Sequence, residues 1–481
     1  MKSYNELKPE KKNNQRKNPA HWQKALTEIT PMNRVHAGPD MKRAYRSLKE
    51  YYQDCEILSY ESGSLSGNWV APPGWIVHHA RLVGPKGDVI IDYHRDSILS
   101  LYCYSPSFEG EIEKEELEKN LFSNPQHPTA YPYHFRNMYR FATGLEWGFC
   151  IPHEIRENLL EGMYKVDIKT EFTNDPMEMV LDTVEGEFAD SICMVGHFDH
   201  PAQCGDGLLG CIAGHEILKQ LRGRSKTNLT YRMLSTVEIV GSVFYAEKHA
   251  SQDSVKETLF CSLSGVDEPL LYAQSVSEES QIDRAMKHIL CHEAEENSVT
   301  HFRGGIGNDE IAFDVIGVDI PSGSLMRWPY EYYHTSLDTD DRVDEEKFEN
   351  FISVVLRAID VLEQNSKLKM TCKGLPCLAH PDLNLYLSPL SVSGTPQELN
   401  QTSKQLLDLL PDEKARAQAY KACDRFNHMM TLLPALANGK TTTLDISEQV
   451  GVPFAVVHAY TEMWVEKGIM KKTWVHPFKT E

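Results

Sequence analysis

The sequence predicts an α/β protein: a mostly parallel sheet flanked by helices, with a small β unit inserted early and a winged helix near the C-terminal end. Three observations carry this. Beyond Tyr164, strand-like and helix-like patterns alternate, as they do in a protein with a parallel sheet. Between Glu56 and Tyr104, short β-like runs are punctuated by Gly and Pro, the texture of an antiparallel unit. Thr441–Val475 reads as helix, tight turn at Gly451, helix and a short basic β piece. That order is a helix-turn-helix with a wing.

Bulk properties bound the function. A chain of 481 residues is too long for one ordinary core, so two or three domains are expected. Hydrophobic residues at 41% and charged residues at 25% are ordinary for a folded soluble chain. A net charge of −20 disfavours nucleic acid and anionic membranes, because both need clustered cations. No apolar stretch approaches the roughly 20 residues of a spanning helix. Residues 1–20 are charged with no apolar segment behind them, so they read as a disordered tail rather than a secretory signal. The 11 cysteines are scattered without a C-x-x-C pair, which fits reduced thiols and a cytoplasmic location.

In chain order, residues 21–55 look largely helical, with Ala44, Leu48, Tyr51 and Tyr52 on one stripe of the second half. Residues 56–149 form the inserted β domain. Within it Glu111–Leu121 reads as a charged helix, and Thr129–Cys150 is dense in aromatics without a clear period. That stretch is read as a packed linker ahead of a substrate wall. Residues 150–370 resume the first domain. Strands are expected at 165–171, 179–184, 191–196, 229–236 and 258–264, with helices at 208–222, 241–250, 281–293 and 345–365. The Pro-rich segment 371–400 has the composition of an interdomain linker, and residues 401–481 are the winged-helix domain.

The chemistry concentrates in Ser191–Leu221. An apolar run, Ile192–Val195, is short enough to be a buried strand, and a polar knot follows: His197, Asp199, His200 and Asp206. The chain then turns helical, with Leu209, Ile212, Ala213, Ile217 and Leu218 at helix spacing. Open α/β sheets present functional groups in such loops, at the carboxyl ends of their strands. Histidine and carboxylate are ligands that zinc favours, and Asp199, two residues after His197, can orient its imidazole. A polar loop that merely leaves a strand is the competing reading. Three later stretches can close on this loop: Glu238 at the end of a strand, Asp309–Glu310 before a turn, and His334 in a polar loop. A carboxylate beside a metal loop serves as ligand or general base.

Taken in order, these motifs resemble the zinc aminopeptidase superfamily, which also holds glutamate carboxypeptidases and glutaminyl cyclases. They are Gly196-His197-x-Asp199, Asp206-Gly207, a carboxylate before Gly241-Ser242, Asn308-Asp309-Glu310 and Tyr333-His334-Thr335-Ser336-x-Asp338. Residues 25–475 more closely resemble a bacterial family of aminopeptidase-like proteins with a small inserted β domain and a C-terminal winged helix. The stretches that carry this include Tyr131-Pro132-Tyr133, Trp147-Gly148-Phe149-Cys150, His200-Pro201, Ile282-Asp283-Arg284 and Leu444-Asp445-Ile446.

The resemblance implies a zinc-peptidase-like fold and a set of roles. Asp206 takes the place of the aspartate that bridges two zincs, His197 binds one metal and His334 the other. Two adjacent glutamates normally follow, but this chain has Val237-Glu238-Ile239, so one is absent. Glu238 stands three residues before Gly241, the base's place rather than the ligand's. The further aspartate ligand expected near residue 260 is not evident; Asp267 is a late candidate. The losses point to one zinc held by His197, Asp206 and His334, with water in the fourth position. The metal acidifies that water and polarises the scissile carbonyl, while Glu238 takes the proton and passes it to the leaving amine. Asp199 fills the orienting role.

For substrate, the resemblance implies a peptide or small amide, with an aminopeptidase-like hydrolase as the first reading. Glu310 and Asp309 can hold a free amino group, or be loop ion pairs. Arg327 can pair with a carboxylate, although a loop ion pair is the preferred reading. Related genes often neighbour polysaccharide or secondary-metabolite genes, so an amidase or deacylase on a biosynthetic conjugate is the alternative. A third reading is an inert hydrolase fold carrying a winged-helix regulator. The presumed recognition helix offers Glu462 and Glu466 against Lys467, and only Lys471 and Lys472 in the wing are basic. DNA-reading helices present Arg, Lys, Asn or Gln, so protein contact or homo-oligomerisation is expected of this domain instead.

Overall fold

The structure, a computed structural model, describes residues 19–141, 143–224, 226–388 and 399–479. The expected disordered tail lies outside the described residues except for its last two, as does much of the expected linker. Among the described residues, eight strands form one sheet in the order 56–60, 177–184, 230–236, 191–197, 255–261, 322–327, 270–273, 297–300. Its heart is parallel: Ser191–His197 lies between Thr230–Thr236 and Val255–Cys261, and Ser322–Arg327 extends the run. The flanking pairs to Met177–Val184 and Leu270–Ala273 are antiparallel. Helices cover the sheet, and Leu208–Arg222 packs its apolar side chains into the principal core with Glu345–Gln364. Ser191–His197 is buried along its whole length, which is why its sequence is continuous in apolar residues rather than alternating.

Two strands sit elsewhere than expected. Met163–Thr173, expected to open the parallel sheet, instead lies between Gly74–Val83 and Phe108–Glu113 in a four-stranded antiparallel sheet. The small sheet therefore extends past residue 150. Conversely, Glu56–Tyr60 leaves the inserted unit to form the edge of the large sheet. The charged helix expected at Glu111–Leu121 is shorter, Lys114–Glu118, because Glu111–Glu113 pairs with Met163–Lys165.

The C-terminal part is a set of helices over a three-stranded sheet, 438–442, 366–370, 470–474. Its central strand, Ser366–Met370, follows directly on the long helix Glu345–Gln364 and so ties this sheet to the first domain. Helix Thr443–Val450 ends on Gly451 at φ 65°, a left-handed stop that glycine tolerates best, and Phe454–Glu466 follows. This second helix begins against the first domain: the Phe454 N–H donates to His288 Nε2 at 3.0 Å. Arg284 pairs with Asp445 and Glu448 across the same seam, and Trp474 donates from Nε1 to the Leu362 carbonyl at 3.1 Å. Among the described residues, no helix is long and apolar enough to cross a membrane.

A buried ion pair ties the sheet to its covering helix. Asp182, fully buried on the strand Met177–Val184, accepts from Arg222 and faces His215 Nδ1 at 3.0 Å. Burial pushes its pKa up, but His215 and Arg222 outweigh this and hold it down to about 2. A depressed carboxyl contributes stability above its ordinary pKa and loses it as pH falls towards the folded value. Stability of about 2 kcal/mol is therefore expected to disappear between roughly pH 4 and pH 2. Asp182→Asn is expected to lower stability at pH 7 by about 3 kcal/mol, since it strands buried partners, and to flatten that acid limb. Urea titrations at several pH values test both.

Candidate metal centre

The parallel strands deliver their carboxyl ends to one place. His197 closes Ser191–His197, and Glu238 follows Thr230–Thr236 by two residues. The loop between His197 and helix Leu208–Arg222 is held from two sides. Arg34, fully buried, donates to the carbonyls of Phe198, His200 and Gln203 at 2.9, 2.8 and 2.6 Å. Asp338 accepts from the N–H groups of Cys204, Gly205 and Asp206 at 3.2, 2.7 and 3.0 Å. Asp206 is thereby fixed by its own backbone. The next residue, Gly207, has φ +90°, and a Cβ there would stand 2.1 Å from His197 Cδ2. Only glycine brings the chain this close to the imidazole.

Three histidines converge on Asp206, with Asp309 and Glu238 behind two of them, and all of these side chains are buried except the partly exposed His334. His197 Nε2 lies 3.1 Å from Asp206 Oδ1, His200 Nδ1 3.2 Å from Oδ2, and His334 Nε2 2.8 Å from Oδ2. On the far side of His197, Nδ1 stands 3.4 Å from Asp309 Oδ2. His200 Nε2 reaches Glu238 Oε2 at 2.9 Å. His197, His200 and Asp206 bring one ligand atom each within 4.8 Å of one another. His197 Nδ1, His200 Nδ1, Asp206 Oδ2, Asp309 Oδ2 and His334 Nε2 are buried atoms with no hydrogen-bond partner. Buried polar atoms are ordinarily satisfied, so this concentration is a departure that a cation resolves. Ligands on a tetrahedral zinc stand about 3.3 Å apart, close to the spacings seen here, and the imidazole and carboxylate donors suit that metal. The residues present fit zinc.

Electrostatics follow from burial and pairing. Burial drives the His197 pKa down, but Asp206 and Asp309 lift it well above the imidazole range. His200 is likewise pushed up to about 10, where burial is outweighed by Asp206 and Asp199. Asp206 is held well below the carboxylate range by its histidines, against the effect of burial. For Glu238 burial again opposes, and the bond to His200 prevails and lowers the pKa. Asp309 goes the other way, raised chiefly by burial. His200 and His334 also adopt left-handed backbone, with φ 77° and 56°. Such strain costs about 1–3 kcal/mol and collects at functional sites.

The residues singled out in the sequence divide as follows. His197, Asp206, His334 and Glu238 come together. Asp199 lies just behind: its Oδ1 accepts the Glu238 N–H at 3.0 Å and Oδ2 faces His36 Nε2 at 3.2 Å. Its carboxylate thus braces Glu238 rather than bonding the His197 ring. Glu310 faces away from the cluster: both its oxygens accept from the Asn308 N–H, and Arg303 pairs with it at 3.1 Å. Burial pushes its pKa up to about 7. Asp267 is exposed and pairs loosely with Lys347 at 3.8 Å. Arg327 is spent on Glu295 and on backbone carbonyls, the structural role preferred for it.

Two members of the cluster had no ligand role in the sequence reading. His200 stands in the polar knot, and its signal was the His-Pro that follows Asp199. Asp309, weighed only for an amino group, takes the side of His197 where the strand near 260 offers no carboxylate; Ser242 donates to its other oxygen at 2.6 Å. The aromatic stretch is packed, as read: Tyr133, Met138 and Phe149 belong to the core of the small sheet, and its first residues also border the cluster. Tyr131–Tyr133 runs beside His334–Ser336, with Tyr133 N–H on the His334 carbonyl at 2.8 Å and Ser336 N–H on the Tyr131 carbonyl at 2.8 Å. The Tyr133 ring then sits 4.9 Å from His200 and 5.1 Å from His334.

A family model described as "Domain of unknown function (DUF4910)" matches residues 23–365. A Clostridium acetobutylicum protein named "Putative polysaccharide biosynthesis protein with aminopeptidase-like domain" is 25% identical over 343 residues, covering 71% of this chain and 77% of that protein. A crystal structure from the same species, titled as a "putative peptidase", superposes with a TM-score of 0.75 at 21% identity, covering 94% of this chain and 96% of the other. The zinc aminopeptidase BSAP from Bacillus subtilis gives a TM-score of 0.54 at 12% identity, covering 70% and 93%. The fold is therefore that of the zinc-peptidase-like proteins.

Proposed function

The chain belongs to the DUF4910 family, and on that premise we propose that it is a zinc-dependent hydrolase of amide or peptide bonds. The observation that carries this is the convergence of buried, unpartnered nitrogen and oxygen atoms on Asp206 at the carboxyl ends of parallel strands. His197, Asp206 and His334 hold the metal, with His200 and Asp309 beside them as further donors. Zinc, when bound, supplies Lewis acidity towards the carbonyl and makes water easier to deprotonate. Glu238 accepts the proton of the attacking water; the carbon–oxygen bond forms, the carbon–nitrogen bond breaks, and the proton goes to the leaving amine. Asp199 steadies Glu238 through its backbone N–H. The Tyr133 ring keeps water off His200 and His334.

The folds of a peptidase and of BSAP support an aminopeptidase-like reaction. The Clostridium relative's name places that protein in polysaccharide biosynthesis, which favours the second reading, an amidase or deacylase on a biosynthetic conjugate. The C-terminal unit, read as a winged helix, serves as a brace in this scheme: His288 covers the start of its second helix, and Lys472 is paired with Glu462. No nucleic acid or membrane is assigned to it, and a cytoplasmic site of action is assigned from the scattered cysteines, which form no C-x-x-C pair. The test is hydrolysis by zinc-loaded protein of aminoacyl amides, dipeptides and N-acylated amino acids, each with and without a free α-amine. Preference for the free amine supports the aminopeptidase and preference for blocked substrates the deacylase. Inactivity on every member counts against both.

A further inference from the structure

At the seam between the first domain and the C-terminal part lies a cavity of about 620 Å³, lined by none of the residues gathered on Asp206. One wall is the end of helix Gln281–Cys291. The other is built from helix Glu413–Lys421, the turn Cys423–Arg425 and the end of helix Thr443–Val450. Elsewhere the seam is electrostatically matched, with Arg284 against Asp445 and Glu448, as contacting surfaces ordinarily are. Around the cavity it is not.

Three cations line it, and they come from both sides: Lys287 from the first domain, Lys421 and Arg425 from the C-terminal part. None of them has a carboxylate partner among the described residues. Lys287 Nζ donates to the Glu278 carbonyl at 2.9 Å and Arg425 Nη1 to the Gly451 carbonyl, while Lys421 makes no hydrogen bond or ion pair among the described residues. The carboxylates of the lining are spent on other cations: Glu448 on Arg284, and Glu293 on Arg357 and Lys414. Like charges brought to one cavity by two packed units repel, here in a chain whose net charge is −20. A bound anion removes that repulsion and takes up the free N–H donors.

We propose that this cavity binds a small phosphorylated molecule. Three cations call for more than one charge on a compact group; a phosphoryl group carries about −2 near neutral pH, and a single carboxylate carries less. The guanidinium fork of Arg425 can meet two phosphate oxygens at once, while the two lysines act as point charges. The volume falls within the roughly 300–1,000 Å³ of small-molecule sites, which leaves room for the group that the phosphate is attached to. Such a ligand ties Lys287 to Lys421 and Arg425 across the seam, and so holds the C-terminal part to the first domain. The site does not depend on the metal-centre reading.

Calorimetry and thermal unfolding on the full chain test this, with inorganic phosphate, pyrophosphate and citrate as probes. Pyrophosphate is expected to bind more tightly than phosphate or citrate, to weaken as salt is added, and to raise Tm, as a ligand of the folded state must. Lys287→Met and Lys421→Met each remove a cation that no carboxylate holds. Each should weaken pyrophosphate at least about 10-fold, the worth of a hydrogen bond to a charged group. Arg425→Gln should do the same, and Arg425→Lys should retain part of the affinity. Because pyrophosphate also has affinity for metals, the titration is repeated on Asp206→Ala, where the seam binding should persist. Full affinity in both lysine variants would overturn the site, as would loss of all binding in Asp206→Ala, which would put the anion on the metal centre. Citrate binding as tightly as pyrophosphate would overturn the phosphoryl assignment. Failure of the wild-type chain to bind any probe would overturn the proposal outright.

Discussion

Asp206→Ala is expected to empty the metal site. Among the described residues, Asp206 alone has a carboxylate that faces His197, His200 and His334 together, at 2.8–3.2 Å, so its loss removes a donor and the charge that gathers the histidines. Changes to residues that merely orient ligands already cost about 10–100-fold in metal affinity, and removal of a donor should cost at least the upper figure. His197→Ala should do the same by removing a nitrogen donor and the imidazole that stands between Asp206 and Asp309. Metal analysis by mass spectrometry after dialysis reads the result, with circular dichroism to show that the fold persists. His200→Ala and Asp309→Asn divide the remaining possibilities. If both lower the zinc content the site has donors beyond the three proposed, and a fall from two equivalents to one would mark a second metal. Glu310→Gln should leave the zinc content unchanged, because its carboxylate is held by Arg303 and the Asn308 N–H. Full zinc occupancy in both Asp206→Ala and His197→Ala would refute the site.

The legible parts of this protein were those specified by neighbouring residues. An apolar run followed by a polar loop and a helical stripe marked Ser191–Arg222, since strand, loop and helix are each local patterns. Asp206-Gly207 was readable for the same reason: the close approach to His197 demands glycine next to the ligand. The strand Met163–Thr173 was misplaced although its signal was present. Tyr164, Val166 and Ile168 are buried and alternate with more exposed residues, as in a half-exposed antiparallel strand rather than the continuous burial of a parallel core. Which sheet a strand joins depends on partners far off, here Gly74–Val83 and Phe108–Glu113. The same distance concealed the place of Asp309 beside His197, since it comes from a short turn over 100 residues later. It also concealed Asp338, whose carboxylate caps three consecutive N–H groups of the Asp206 loop. His36 and Arg34 lie between two helices with nothing in their surroundings to suggest a site. Only the folded chain sets them under Asp199 and the His197–Asp206 loop.

Glu238→Gln should retain zinc and lose nearly all hydrolysis. Glutamine has the volume of glutamate and can still meet His200, which stands 2.9 Å from Oε2, and the backbone N–H that binds Asp199 is unaffected. What it lacks is a basic oxygen able to take a proton from water. Loss of a positioned base costs about 10²–10⁴-fold in rate, roughly 3–5 kcal/mol of barrier. The fall should appear in kcat with KM little changed, because the interaction lost is one with the moving proton. Zinc content, measured on the same preparation, separates this from a ligand role: as a ligand, Glu238 would lower metal affinity when replaced, and added zinc would restore part of the rate. Asp199→Asn supplies the companion measurement. It keeps an acceptor for the Glu238 N–H while removing the charge beneath His36, so a base held in place by Asp199 should lose less rate here than in Glu238→Gln. Wild-type rates in Glu238→Gln would remove Glu238 from the mechanism and leave His200, which stands between Glu238 and Asp206, as the residue to test next.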